Sequence, residues 1–302
     1  MRKGSVPGVR VVSLLPSATE ILFAVGAGEE VVGVTFECDY PPAARGRRIV
    51  STSSLPEGLD PAGIDAAVRE RLSAGEDLYH LDRDTLAGLD ADLVVTQDLC
   101  AVCAVDVSEV RSALDYLGCT ASVLTTDPHT LEEVLASIAQ IGVATRHVAE
   151  ADALLGGLRR RLATVDERVA GLPRPRTVVL EWTDPPFAPG HWVPEMVQAA
   201  GGINVLGRSG ARSVPTTWQA VAAAEPEVVI SAPCGFGLAD STRLAVELVD
   251  RGVLPADVPV WAVDANASFA RPGPRLAHGI EAMAAILHAD EPADANFAIR
   301  VR

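Results

Sequence analysis

The sequence predicts an α/β protein: two Rossmann-like lobes, each built on a mostly parallel sheet, joined by a single long helix. Three observations predict it. Short, continuous apolar runs alternate with helical patterns, as expected of strands buried on both faces of a parallel sheet. Midway along the chain, apolar residues recur at helical spacing for about forty residues, on the order of 60 Å of helix. Hydrophobic residues make up 48 % of the chain but aromatic residues only 4 %, so the core is mainly Val, Leu, Ile and Ala, which suits layered packing. The 302 residues divide into an N-terminal lobe (1–128), the connecting helix (129–172), a C-terminal lobe (173–290) and a loose tail (291–302).

Residues 10–15 form the first strand. Ser17 and Glu20 match a capping box and open a helix that Gly26 and Gly28 end. Strands follow at 30–36, 49–50, 92–96 and 121–124. Residues 55–80 look like an insertion with a short helix at 64–73. Thr130 and Glu133 form a second capping box, where the long helix begins; Gly142 and the pair Gly156 and Gly157 are its weak points. Pro173 and Pro175 punctuate. The second lobe holds strands at 177–182, 228–231 and 258–263, and helices at 193–200, 217–224, 243–249 and 274–288.

The formal net charge of −15, with Lys3 the one lysine, argues against a nucleic-acid partner, because phosphate binding needs clustered cations. The apolar run 9–15 is interrupted by Arg10 and Ser13, so it reads as a strand rather than the core of a secretory signal. No run of about 20 apolar residues could span a membrane. The expectation is a cytoplasmic monomer whose five cysteines are thiols or ligands rather than disulfides.

Ligands of open parallel sheets bind beyond the carboxyl ends of the strands. The loops there, at 16–19, 36–42, 97–103, 183–192, 232–237 and 264–273, hold Cys38, Cys100, Cys103 and Cys234. They also hold Phe36, Glu37, Tyr40, Phe187, His191, Trp192, Phe236 and Phe269, with Trp182 just before one of them. In a chain so poor in aromatics this concentration is informative, because aromatic faces suit a large planar ligand and lose little rotamer freedom on binding it. Arg271, with Arg275, places cations near the start of the last helix, where they bind a ligand edge or stand in solvent. Together these residues form the candidate binding set.

Cys100 and Cys103, spaced C-x-x-C, admit several chemistries. A structural zinc site needs four ligands and commonly two such pairs; a redox dithiol needs a helix start that lowers a thiol pKa; small thiols also simply line a pocket. The remaining reading is a metal or metal-cofactor contact by Cys38, Cys100 and Cys103 with His191 or Cys234. His191 either ligates a metal ion or the cobalt of a corrinoid, or hydrogen-bonds the loop backbone. Glu195 reads as a first-turn carboxylate favoured by the helix dipole, and Cys119 as a core residue. No Walker lysine, Gly-x-Ser-x-Gly elbow or His-Glu-x-x-His motif is present, so binding is expected rather than catalysis.

Val-Val-Ser-Leu-Leu-Pro-Ser-Ala-Thr-Glu-Ile-Leu-Phe-Ala-Val-Gly from Val11, Val-Val-Gly-Val-Thr from Val31 and Asp-Tyr-Pro-Pro from Asp39 resemble the N-terminal lobe of the periplasmic vitamin B12-binding proteins of ABC importers. Ala-Asp-Leu-Val-Val from Ala91, Asp-Pro-Pro-Phe from Asp184, Ala-Gly-Gly-Ile-Asn from Ala200 and Glu-Pro-Glu-Val-Val-Ile from Glu225 continue the resemblance in order. The first motif is shared with the wider iron-siderophore receptors; Asp-Tyr-Pro-Pro and Asp-Pro-Pro-Phe point to the B12 branch. The resemblance implies the class III periplasmic-binding-protein fold, cobalamin or a related corrinoid held in a cleft between the lobes, and a periplasmic or extracellular location. It also implies a permease docked through one glutamate per lobe. The matching positions hold Asp84 and Gln219, so the second charge is missing and a permease partner is not expected. Two alternatives stay open: a metal- or cluster-binding protein or enzyme using Cys38, Cys100 and Cys103 with His191, and an importer receptor for B12 or a metal chelate.

Overall fold

The computed structural model describes residues 8–97, 107–116, 120–288 and 296–302. The chain divides into two compact units: Met1–Asp127 with Leu135–Leu155, and Pro128–Val134 with Gly156–Arg302.

The first unit carries six strands, β1 (Val11–Ser13), β2 (Val31–Thr35), β3 (Arg48–Ser53), β4 (Tyr79–Leu81), β5 (Leu93–Thr96) and β6 (Ser122–Thr125), with helices α1 (Pro16–Ala24), α2 (Pro61–Ala74), α3 (Arg83–Gly88) and α4 (Val107–Tyr116). The strand order is β4-β3-β2-β1-β5-β6. All neighbours are parallel except β4, which runs antiparallel to β3. The apolar runs explain the order: β1 and β5 are buried along their whole length, as central strands covered on both faces must be. The short helix expected at 64–73 lies within α2, and residues 55–80 pack into the core. They supply α2 and the edge strand β4, whose Leu78, Tyr79 and Leu81 enter the same core cluster as Val12, Leu14 and Val94.

The two expected capping boxes behave differently. Leu15, extended at φ −149°, is the residue before α1, and Pro16 takes the first helical position. Proline's fixed φ starts the helix there, so Ser17 falls in its first turn and Glu20 beyond it, both buried, and no side-chain cap forms. At Thr130 the box is complete. Its Oγ1 accepts from the Glu133 N–H at 3.2 Å, while Glu133 Oε2 accepts from the N–H groups of Thr130 at 3.0 Å and His129 at 2.6 Å. These bonds hold the Glu133 carboxyl below its ordinary pKa, the His129 N–H contributing most.

The expected forty-residue helix is two helices, α5 (Leu131–Ala144) and α6 (Val148–Val169). Arg146 takes a left-handed φ of 63° and the His147 N–H closes onto the Gly142 carbonyl at 2.7 Å. Gly142 is required here: a Cβ would lie 2.4 Å from that of Ala151, the point where α6 passes α5. Periodicity is blind to such a break, because both helices are amphipathic and a non-glycine residue turns the corner. Both helices run from one unit into the other, the division falling between Val134 and Leu135 in α5 and between Leu155 and Gly156 in α6.

The second unit carries β7 (Arg176–Leu180), β8 (Trp182–Thr183), β9 (Pro186–Ala188), β10 (Ile203–Asn204), β11 (Val214–Pro215), β12 (Val228–Ser231), β13 (Val260–Val263) and β14 (Ala298–Arg300), with α7 (Val193–Ala199), α8 (Trp218–Ala223), α9 (Leu238–Asp250), α10 (Ala265–Ser268) and α11 (Leu276–His288). Its main sheet is ordered β10-β7-β12-β13-β14, parallel but for β14, and a small antiparallel sheet is ordered β11-β9-β8. Val178, Leu180, Val229, Val260 and Ala262 are fully buried with Ala245 and Leu248 of α9.

The tail is not loose from residue 296 on. β14 pairs with β13 in the register Trp261↔Arg300, Ala262↔Ile299 and Val263↔Ala298. The Arg302 guanidinium donates to the carbonyls of Val258 at 2.9 Å and Pro255 at 2.6 Å, and the Phe297 ring stacks on His278 at 5.6 Å. Deleting residues 296–302 should lower the melting temperature by on the order of 5 °C, given about 1 kcal/mol net per ladder hydrogen bond. Thermal unfolding followed by circular dichroism checks this; an unchanged midpoint would mean the strand adds nothing.

Candidate functional site

In each main sheet the first strand is central and the chain leaves it on both sides in turn, which creates a switch point where ligands of such sheets bind. In the first unit it lies between β1 and β5. There Thr19 Oγ1 donates to Ser13 Oγ at 2.8 Å and lies 3.0 Å from Cys38 Sγ, all three residues being buried. Cys38 is thus a packed thiol satisfied by Thr19. Beside it, the loop after β2 sends two rings outward: Phe36 is 42 % exposed and Tyr40 45 %. Glu37 anchors that loop by accepting from the Tyr79 hydroxyl at 3.1 Å, and Tyr79 also meets the Phe36 ring at 6.3 Å. Gln97, just past β5, is buried. Cys100, Cys103 and Cys119 lie outside the described residues.

In the second unit the switch point lies between β7 and β12. Glu181 is the first residue beyond β7, and its carbonyl accepts from the N–H of Cys234, just past β12, at 3.0 Å. Trp182 and Phe236 follow from the two strands and meet at 5.6 Å with planes tilted 50°; both remain partly exposed, as does Phe187, while Cys234 is exposed. Trp192 and Phe269 are instead buried, and the Trp192 indole N–H donates to the Phe269 carbonyl at 2.8 Å. They support the edge rather than present a face. Arg271 is buried as well, 7 % exposed, so it does not stand in solvent.

The chain from 182 to 216 is held by local bonds. Gly190 has no room for a side chain, since a Cβ would lie 2.2 Å from the Ser213 nitrogen. His191 has a left-handed φ of 48°; its N–H donates to the Ala211 carbonyl at 2.6 Å and its own carbonyl accepts from the Gly210 N–H at 3.0 Å. These are bonds of the His191 main chain; its ring Nε2 makes no hydrogen bond to the loop. Its ring lies between Trp192, at 5.6 Å, and His129, at 5.8 Å. Burial, then the charges of His129 and Arg212, lower its pKa. Glu195 sits in the first turn of α7 as expected, but it also accepts from the Leu131 N–H at 2.7 Å and from the Ser209 hydroxyl, joining the start of α5 to the loop after β10.

Two residues escape sequence reasoning. Glu181 keeps some exposure, yet burial raises its carboxyl from an ordinary 4.5 to about 7, against the opposing bonds from the Gly190 N–H, at 3.1 Å, and the Ser213 hydroxyl. The available signal was a carboxylate placed directly after the apolar run of β7. His129 gave no signal, because its partner is 62 positions away. Among the described residues no group of three or more His, Cys, Asp or Glu is placed to hold a metal ion; Cys38 belongs to the first unit and His191 to the second. Asp84 on α3 and Gln219 on α8 are exposed. No helix among the described residues is long and apolar enough to cross a membrane.

Residues 11–247 match the family model described as periplasmic binding protein. A vitamin B12-binding protein of Vibrio cholerae is 22 % identical over 278 residues, 91 % of this chain and 87 % of that one. The crystal structure of the periplasmic vitamin B12 binding protein of Vibrio cholerae superposes with a TM-score of 0.67 at 21 % identity, covering 94 % of this chain and 99 % of the other. A periplasmic heme binding protein from Pseudomonas aeruginosa gives 0.70 at 18 % identity, covering 97 % and 98 %. These likenesses establish the class III periplasmic-binding-protein fold, and they give the cytoplasmic expectation no support.

Glu181 makes a pH prediction. Its folded pKa lies above its ordinary one, so between pH 4.5 and about 7 the folded state holds a proton that the unfolded state has lost, and stability falls as pH rises through that window. Glu181→Gln should remove this slope. The variant should be more stable than the parent at pH 8, by no more than about 3 kcal/mol, with the gap shrinking as pH falls towards 4.5. Urea denaturation at pH 5 and pH 8 decides it; an equal difference at both would show that the carboxyl does not titrate there.

Proposed function

The chain belongs to the periplasmic binding protein family, and on that premise we propose that it binds cobalamin or a related corrinoid at the ring-bearing carboxyl edges of its sheets. The carrying observation is the exposure of Phe36 and Tyr40 at the first edge. A chain with 4 % aromatic residues leaves two rings in water where ligands of such sheets bind, and exposed apolar patches in that position mark binding surfaces. Trp182, Phe236 and Phe187 provide the same material at the second edge.

Charge favours a corrinoid over a haem. Both are broad tetrapyrrole-type rings, but corrin carries mainly neutral amides at its rim and haem carries two carboxylates. A chain of net charge −15 disfavours the doubly anionic rim, and Arg271 is taken into the interior. The relative named for vitamin B12 and the Asp-Tyr-Pro-Pro and Asp-Pro-Pro-Phe segments support the same choice. A permease that docks through one carboxylate on each unit meets Asp84 but only an amide at Gln219.

Incubation with hydroxocobalamin, then gel filtration read at visible wavelengths, tests the reading, with hemin in parallel. Cobalamin should co-elute with the protein, and Phe36→Ala and Trp182→Ala should each weaken binding about tenfold, the loss expected for a buried aromatic contact. Colour with hemin alone would replace corrinoid by haem, and a colourless peak with both would end the tetrapyrrole reading.

A further inference from the structure

The second unit contains an imidazole pair with no role in the ligand reading above. His129 lies just before α5 and His191 just before α7, with ring centroids 5.8 Å apart and planes tilted 45°. Each backbone is fixed separately: the His129 N–H donates to Glu133, and the His191 N–H donates to the Ala211 carbonyl. Glu195 then ties the two loops, taking the Leu131 N–H on one oxygen and the Ser209 hydroxyl on the other. Within this frame His191 is held at a positive φ, and its Nε2 is buried without a hydrogen-bond partner. Buried polar atoms are nearly always satisfied, and an exception asks for a partner other than the protein itself. Backbone strain at the same residue asks for a reason why the ring must point there.

We propose that His129 and His191 ligate one first-row transition-metal ion. Imidazole suits zinc, copper and nickel, and a metal–nitrogen bond of about 2.0–2.1 Å places each ring centre about 3 Å from the ion. Two centres 5.8 Å apart match that spacing for an ion held by one nitrogen of each ring, at an angle between tetrahedral and linear. No third His, Cys, Asp or Glu joins the pair among the described residues, so the ion has two protein ligands, fewer than the four of a closed structural site, and its remaining positions would take ligands from outside the chain.

The test uses the full chain stripped of metal with EDTA and titrated with nickel(II), with no corrinoid present, so its outcome is separate from that of the ligand reading. Trp192, 5.6 Å from the His191 ring, is the reporter, because a paramagnetic ion at the pair quenches its fluorescence. Saturable quenching is expected, and His129→Ala and His191→Asn should each weaken the responsible site by at least about tenfold. Asparagine is chosen because it tolerates the left-handed backbone, and circular dichroism verifies the fold of each variant. Absence of quenching in the parent protein, or quenching unchanged in both variants, overturns the proposal.

Discussion

A parallel strand buried on both faces admits only apolar side chains and small hydroxyls along its length, leaving no room there for charged or bulky polar groups, and the rest of this structure follows from that constraint. β1, β5, β7 and β12 are buried throughout, apart from the partly exposed Arg176 at the start of β7. Their side chains are therefore committed to packing. Chemically distinctive residues can collect only where the strands stop. At the carboxyl end of β7 the first residue past the sheet is Glu181, and past β12 it is the Ala232–Cys234 turn, whose nitrogen bonds the Glu181 carbonyl. The same rule puts Cys38, Thr19 and the exposed rings of Phe36 and Tyr40 together beyond β1 and β2.

Carboxylates do the fastening at the second edge. Glu181 takes the Gly190 N–H, Glu195 joins the α5 start to Ser209, and Glu133 closes the cap of α5. Backbone N–H donors at helix starts and tight turns are the natural partners of ionised acids. The strongly acidic composition is thus partly structural: several acids act as staples, and counting them only as solubilising charge understates their role. Glu181 differs from Glu133 in its surroundings. Both accept backbone hydrogen bonds, but desolvation outweighs them at Glu181 and not at Glu133, which is why their pKa values move in opposite directions.

The sheets were legible because buried parallel strands read as continuous apolar runs, and the strand-end loops followed from the strands. Features decided by contacts distant in sequence were not legible. β4 and β14 are edge strands of three residues each, recognisable only by their partners. The break at Arg146 hides in an unbroken apolar period because its left-handed residue is an arginine. Ser17 looked like a cap, but with Pro16 in the first helical position the helix starts two positions earlier, after Leu15. Within the site, residue type marked Trp182 and Phe236, which do face each other, and equally marked Trp192 and Phe269, which are buried supports. Aromatic type identifies a neighbourhood; which ring shows its face is set by packing.

That division of labour separates folding from binding. Trp192 is 6 % exposed and Phe269 2 %, joined by the indole hydrogen bond to the Phe269 carbonyl, so truncating either side chain opens a cavity, and truncating Trp192 also takes the indole donor from that carbonyl. Phe36 and Tyr40, each more than 40 % exposed, contribute little to the core. A ring that adds little to folding and is nonetheless held in water, on a loop fixed by Glu37 and Tyr79, is preorganised: its position is set before any ligand arrives, and less rotamer freedom is lost on binding. In the proposed corrinoid reading, rings placed this way would hold a broad apolar face without distinguishing one macrocycle from another. Selection falls to charge and to polar groups at the rim, where the net negative charge of the chain excludes anionic ligands more strongly than neutral ones.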